Sequence, residues 1–162
     1  MARADGIKVM GVLSRRVFED APDPSYEILE LDTGERLPLV KSNKLSLGEG
    51  WESYGNPRYM FSPDGFRRAN LALQRAAEEM RDGVVVFVDE FGRLESGRMG
   101  IYPGAVFVAD ALRRGGVAVY LCRDDKVAEV NDLVKGKTAR TFTLEAGNAD
   151  ALLKIIRGCS KL

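Results

Sequence analysis

The 162-residue sequence contains no histidine, which excludes a Ser-His-Asp triad, a Cys-His pair and any metal site built on imidazole. Cysteine is nearly as scarce: Cys122 and Cys159 form neither a disulfide framework nor a zinc-ligand spacing, so we expect a reducing cytoplasm. Lys and Arg number 24, as do Asp and Glu, which argues against nucleic-acid binding through overall basicity. The apolar runs are too short to span a membrane, and residues 1–20 hold no signal-peptide core. Hydrolytic chemistry is therefore left to carboxylates, Lys, Tyr or a thiol.

The length and the 45% content of apolar residues predict one α/β domain over residues 1–162. The first third indicates strands and turns, with an antiparallel hairpin around the turn sequence Asp-Thr-Gly-Glu at 32–35. From residue 58 onward strands alternate with helices, which is typical of a mostly parallel sheet covered on both faces, a three-layer arrangement. The predicted strands are 7–13, 26–31, 36–40, 58–61, 84–88, 117–122 and 141–144. The predicted helices are one from Pro63 that Gly83 ends, 103–114, 125–135 and one capped by Asn148.

Two adjacent acids follow a strand that is predicted to be buried on both faces. Residues 84–88 are five apolar residues in a row, and Asp89 and Glu90 come directly after them. Ligands of an open parallel sheet bind at the carboxyl ends of its strands. Acids at that position need solvation, pairing or a cation, and in nucleotide hydrolases they hold Mg²⁺ and polarise the attacking water. The alternative is that Asp89 and Glu90 only begin a solvated loop.

Two arginines lie in the loop that follows the acidic pair. Arg93 and Arg98 are the candidate contacts for the phosphates of a bound nucleotide, or partners of the acids. The alternative for each is an ordinary solvated loop charge.

The wider sequence around the pair resembles a known family. The segment 84–95, VVVFVDEFGRLE, is similar to the Asp-Glu-Ile/Val-Gly-x-Met/Leu-Glu signature of the thermophilic-type, or cancer-related, nucleoside-triphosphatase family of P-loop ATPases. Segments 11–13, 26–35, 141–144 and 148–153 resemble that family's hairpin, C-terminal strand and helix, so the resemblance covers about residues 6–158. It implies a P-loop-NTPase-like fold in which Asp89 binds Mg²⁺ and Glu90 is the general base. Glu95 matches the family's acidic residue downstream, without an assigned role.

One part of the family pattern is missing from the sequence. The family begins with a strand and a Gly-x-x-x-x-Gly-Lys-Ser/Thr loop that holds phosphates, whereas Met1 stands about where the second strand would begin. The tripeptide Gly136-Lys137-Thr138 does not replace that loop, because Asn131 stands where its first glycine belongs and a helix precedes it. The resemblance therefore predicts the family's fold without the P-loop strand, which would lie between 117–122 and 141–144.

The missing strand leaves three structural possibilities open. The two flanking strands pair directly, another copy or another protein supplies the strand, or the sequence is a fragment of a longer chain. We expect self-association or a protein partner that completes the sheet, with no nucleic acid and no membrane as partner, because unpaired strand edges seek a partner.

Four functions remain open on the sequence alone. The first is a P-loop-less relative of nucleoside triphosphatases that is non-catalytic by itself and acts as a nucleotide-related regulatory or partner subunit. The second is a nucleoside-triphosphate phosphohydrolase, split or truncated, with Mg²⁺ as cofactor when nucleotide is bound. The third is an unrelated α/β metal-dependent hydrolase, and the fourth is a binding module without chemistry.

Overall fold

A six-stranded sheet runs through the part of the chain that the computed structural model describes, which is residues 6–17, 24–43, 49–55, 58–138, 140–145 and 147–159. The strand order is β4-β3-β2-β1-β5-β6. The strands are β1 (Lys8–Val17), β2 (Ser25–Glu30), β3 (Arg36–Ser42), β4 (Tyr59–Phe61), β5 (Val84–Phe91) and β6 (Val117–Cys122).

Strand β1 joins an antiparallel half of the sheet to a parallel half. β2 and β3 form the predicted hairpin, and β1–β2, β2–β3 and β3–β4 all pair antiparallel. On its other side β1 pairs parallel with β5, which pairs parallel with β6. Gly11 of β1 lets the two central strands approach closely, since a Cβ there would lie 2.1 Å from the Phe87 carbonyl oxygen. The predicted α/β class with an N-terminal hairpin is confirmed. The described sheet is mixed rather than mostly parallel, because only the β1–β5 and β5–β6 pairings are parallel.

The helices are α1 (Pro63–Glu78), the single turn α2 (Arg93–Ser96), α3 (Tyr102–Ala111), α4 (Val127–Val134) and α5 (Ala149–Cys159). The prediction that Ser62 caps α1 is confirmed, because its hydroxyl oxygen accepts the Gly65 N–H at 3.0 Å. None of the helices in these described stretches is long and apolar enough to span a bilayer.

Helices pack on both faces of the sheet, which gives the predicted three layers. Alternate residues of β5 point to opposite faces: Val84, Val86 and Val88 join the main core with α1, α3 and α4, whereas Val85 packs against α5. Most of the residues that α1 and α3 contribute to the large cluster are alanines, and their small side chains let the two helices cross closely. Gly104 permits that crossing, since a Cβ there would lie 2.7 Å from the Leu73 side chain.

The predicted strand at 141–144 is wrong. Residues 140–145 lie in no strand, and their side chains are exposed. The alternating pattern Thr-Phe-Thr-Leu has strand propensity, but a strand also needs a hydrogen-bonded neighbour, and β6 is the last strand of the described sheet on that side.

Candidate functional site

The acidic pair lies where β5 departs from regular pairing, at the carboxyl end of the parallel strands. The β5–β6 register shifts between Val88 and Phe91, so Asp89 and Glu90 sit at an irregularity of the bulge type. Bulges occur often next to active sites, where they redirect side chains. The β1–β5 pairing ends just before them at Val12 and Val88, and Ser14 of β1 lies beside Asp89.

Backbone N–H groups hold the Asp89 carboxylate on both sides. Its Oδ2 accepts the Ser14 N–H at 2.8 Å, and its Oδ1 accepts the Glu90 N–H at 2.9 Å. Partial burial raises the pKa of Asp89 above its usual value, while these two N–H groups act in the opposite direction. The carboxylate is thus fixed in orientation and poorly solvated, which favours a cation beside it.

Glu90 adopts a backbone conformation that side-chain-bearing residues usually avoid. Its φ of 70° lies in the left-handed region, which for a non-glycine residue costs roughly 1–2 kcal/mol. Its side chain is exposed at the rim, yet partial desolvation and then the charge of Asp89 raise the pKa of Glu90. Strain of this kind is concentrated at functional sites.

Glu95 organises the loop that follows the pair. Its side chain is buried, and its two oxygens accept the N–H groups of Gly92 at 2.9 Å and Ile101 at 3.1 Å. Burial raises its pKa, against which the two N–H groups act. Gly100 leaves room for the carboxylate, since a Cβ there would lie 2.3 Å from its Oε1. The downstream acid of the motif is therefore a structural clamp in this fold.

Asn70 of α1 connects the same loop to the helical layer. Its amide nitrogen donates to the carbonyls of Phe66 and Gly100, each at 2.9 Å, and its oxygen accepts the Gly104 N–H at 2.7 Å. The loop behind the acidic pair is consequently held by hydrogen bonds to both Glu95 and Asn70.

The structure places Arg93 and Arg98 in this loop with exposed side chains. Neither forms an ion pair with a residue of the described segments, and Arg98 has a φ of 59°. Neither guanidinium group is therefore paired with Asp89 or Glu90. The predicted contact of Arg93 and Arg98 with phosphate stays a prediction.

Cys122 ends β6 at the same edge of the sheet, opposite Phe91. Burial, then the charges of Asp124 and Asp125, raises the pKa of its thiol above the ordinary value. A thiol in that environment stays protonated at neutral pH and is a poor nucleophile.

The donors fit a magnesium ion that is shared with a ligand. Mg²⁺ takes oxygen ligands and is usually held by one or two carboxylates together with phosphates and water. Asp89 and Glu90 supply oxygens at one rim. Within the described segments no group of three or more acidic or cysteine side chains could hold a metal by itself. The pair therefore suits Mg²⁺ bound together with phosphate, rather than an all-protein cage.

The sequence analysis singled out the acidic pair but not the residues that hold the pair and its loop by hydrogen bonds. Ser14 was not predicted, because it lies 75 residues before Asp89 and only the β1–β5 pairing brings the two together. Asn70 carried a weak signal, since it is a polar residue beside the apolar face of α1.

No family model matches the chain. Over 95 residues, 57% of this chain and 47% of the other, the sequence is 30% identical to the nucleoside-triphosphatase THEP1 of Pyrococcus abyssi (strain GE5 / Orsay), so the match spans about half of that relative. The solution structure of a human cancer-related nucleoside triphosphatase superposes with a TM-score of 0.63 at 19% identity, covering 97% of this chain and 84% of that one. The crystal structure of THEP1 from the hyperthermophile Aquifex aeolicus gives 0.54 at 19% identity, covering 92% and 81%.

The chain therefore has a nucleoside-triphosphatase-like α/β fold, with an acidic pair at the carboxyl end of its central parallel strand. It is homologous to THEP1 over the matched 95 residues.

Proposed function

We propose that this chain supplies the acidic, cation-binding part of a nucleoside-triphosphate site, is non-catalytic by itself, and acts as a nucleotide-related regulatory or partner subunit in a reducing cytoplasm. The sequence contains no Gly-x-x-x-x-Gly-Lys-Ser/Thr segment. The backbone N–H groups and the lysine of such a loop make charge-assisted bonds to phosphate worth about 1.5–3 kcal/mol each. Without them the affinity of this chain alone for a triphosphate is expected to be weak.

The single observation that carries the proposal is the construction of the acidic pair. Asp89 is held by two N–H groups, and Glu90 is kept in a strained conformation directly beside it. A surface loop without a function has no physical need for two poorly solvated carboxylates in that arrangement. The homology to THEP1 supports a nucleotide as the ligand.

The second candidate is a nucleoside-triphosphate phosphohydrolase that works once a phosphate-binding segment is supplied. When bound, Mg²⁺ supplies neutralisation of phosphate charge at Asp89. Glu90 would hold the attacking water and accept its proton. The pKa of Glu90 is raised above its usual value, as a general base near neutral pH requires. Arg93 and Arg98 would contact the phosphates. The third candidate, an unrelated hydrolase, loses support because the chain is homologous to nucleoside triphosphatases.

The test is a titration of fluorescent ATP and GTP analogues into the purified protein, with and without Mg²⁺. We expect weak, saturable binding that depends on Mg²⁺ and disappears in Asp89→Asn. Glu78→Gln is the matched control, since it removes an exposed carboxylate of α1 far from the pair and should leave binding unchanged.

Phosphate release separates the two candidates. Phosphate release no faster than in buffer without protein supports the non-catalytic subunit. Faster phosphate release that Glu90→Gln abolishes supports the phosphohydrolase. No binding up to about 1 mM, a free energy near −4 kcal/mol, would contradict both.

A further inference from the structure

A buried hydroxyl beside the acidic pair has no hydrogen-bond partner. Among the residues that the structure describes, Ser14 Oγ and Asp32 Oδ1 are the two buried side-chain polar atoms without one. An unpaired buried hydroxyl costs the free energy of its desolvation, which an alanine in the same place would not incur. The Ser14 hydroxyl therefore does not stabilise the chain in this state, and it can gain a hydrogen bond only in another state.

The carboxylate of Asp89 lies between Ser14 and Glu90. Its Oδ2 accepts the Ser14 N–H and its Oδ1 accepts the Glu90 N–H, so residues of two different strands flank one carboxyl group. Ser14 also pairs with Ile28 across the β1–β2 ladder, which fixes its backbone. The unpaired hydroxyl thus belongs to a fixed strand residue next to Glu90.

Glu90 offers the complementary group, which is a carboxylate without a cationic partner. No lysine or arginine of the described segments forms an ion pair with Glu90, and its side chain is exposed at the rim. The charge of Asp89 raises the pKa of Glu90, because the two ionised carboxylates repel each other. This repulsion is a physical reason why Glu90 points outward and forms no hydrogen bond with Ser14.

We propose that Ser14 is a positioning residue for Glu90, whose carboxylate accepts the Ser14 O–H when a divalent cation is bound at Asp89. Neutralisation of the Asp89 charge weakens the repulsion between the two carboxylates. A hydroxyl that donates to an ionised carboxylate makes a charge-assisted hydrogen bond, which is stronger than a neutral one. The inference rests on the proposed function, since it takes Asp89 as the ligand of the cation.

This hydrogen bond contributes to ligand affinity and not to the stability of the free chain. It forms only in the cation-bound state, and an interaction made only there strengthens binding. Ser62 is the opposite case, because its hydroxyl oxygen already accepts the Gly65 N–H in the free chain. Ser62 follows β4, at the other edge of the sheet from the parallel strands.

The test compares variants by titration of a fluorescent ATP analogue in the presence of Mg²⁺, and by thermal unfolding without cation or nucleotide. We expect Ser14→Ala to weaken binding about tenfold, whereas its Tm equals that of the wild type or rises. Ser14→Thr keeps the hydroxyl and should bind within about twofold of the wild type. Ser62→Ala is the matched control, whose Tm should fall and whose affinity should change less than about twofold.

A double-mutant cycle identifies the partner of the hydroxyl, whether or not Ser14→Thr packs well. If the hydroxyl acts through Glu90, Ser14→Ala should weaken binding less than about twofold in a Glu90→Ala background. The same loss in both backgrounds would mean that the hydroxyl acts without Glu90, and the proposal would be wrong.

Two other results contradict the role of Ser14 alone. One is binding that Asp89→Asn abolishes and Ser14→Ala leaves unchanged. The other is a Tm of Ser14→Ala that falls as in Ser62→Ala, since the hydroxyl would then be a structural group of the free chain. A wild-type protein that does not bind the analogue contradicts the proposed function itself, and the inference fails with it.

Discussion

The strained backbone of Glu90 leads to a quantitative prediction on stability. Substituting Glu90 with alanine or with glycine removes the same carboxylate, so the difference between the two variants isolates the backbone. Alanine keeps the left-handed φ of 70°, which costs roughly 1–2 kcal/mol and which glycine adopts freely. Glycine in turn loses about 0.5–1 kcal/mol more conformational entropy on folding. We expect Glu90→Gly to be more stable than Glu90→Ala by about 1 kcal/mol.

The assay is urea unfolding followed by circular dichroism, with thermal unfolding as a second measurement. A difference of about 1 kcal/mol corresponds to about 2–4 °C in Tm for a chain of this size. Gln74 is the control, because it is exposed inside α1 and has a helical backbone. There the order should reverse, with Gln74→Ala more stable than Gln74→Gly by about 1 kcal/mol. If alanine is as stable as glycine at position 90, the strain does not exist and the argument built on it fails.

Three further predictions concern the supports of the site. Gly11→Ala should lower the free energy of unfolding by at least about 2 kcal/mol in the same urea assay, because its Cβ would overlap backbone atoms of β5. Gly34 also has a positive φ but faces open space, so Gly34→Ala should lower the free energy of unfolding by only about 1 kcal/mol. The raised pKa of Asp89 means that its ionisation destabilises the fold, so stability falls as pH rises from about 4 through that raised pKa. The free energy of unfolding of Asp89→Asn should fall less over this pH range. Parallel pH profiles of the two proteins would contradict a raised pKa at Asp89. Glu95→Ala should lower stability by about 2–4 kcal/mol, since two N–H groups lose their acceptor, with unchanged urea midpoints as the contrary result.

Local features of the fold were predictable from sequence. Ser62 caps α1 and Asn148 caps α5, where its side-chain oxygen accepts the Ala151 N–H at 3.3 Å, because a cap depends on a few neighbouring residues. The bounds of β6 were predicted without error for the same reason, as its apolar run stands between glycines and a charged turn. The strand at 141–144 failed because strand formation depends on a neighbour that local sequence does not reveal.

The candidate site likewise has some features that the sequence shows and others that only the structure shows. Asp89 and Glu90 are visible as adjacent acids after an apolar run. The left-handed φ of Glu90 carries no sequence signal, since such conformations are ordinarily signalled by glycine or asparagine. The role of Ser14 depends on a contact across 75 residues that only the folded chain makes. The partners of Glu95 lie within six residues of it, but its role depends on the conformation of the loop, which the sequence does not reveal.

The hydrogen bond from the Ser14 N–H to Asp89 spans 75 residues of sequence, and this span has a kinetic consequence. The β2–β3 hairpin closes over a short turn, so it can form early, whereas the β1–β5 pairing must await closure of a long loop. The acidic pair is therefore assembled late in folding. A chain that has its hairpin and α1 but not yet its central pairing has no oriented carboxylate at this position. In pulsed hydrogen exchange, protection of the Ser14 amide should then appear together with the slowest refolding step, and not with the early gain of secondary structure.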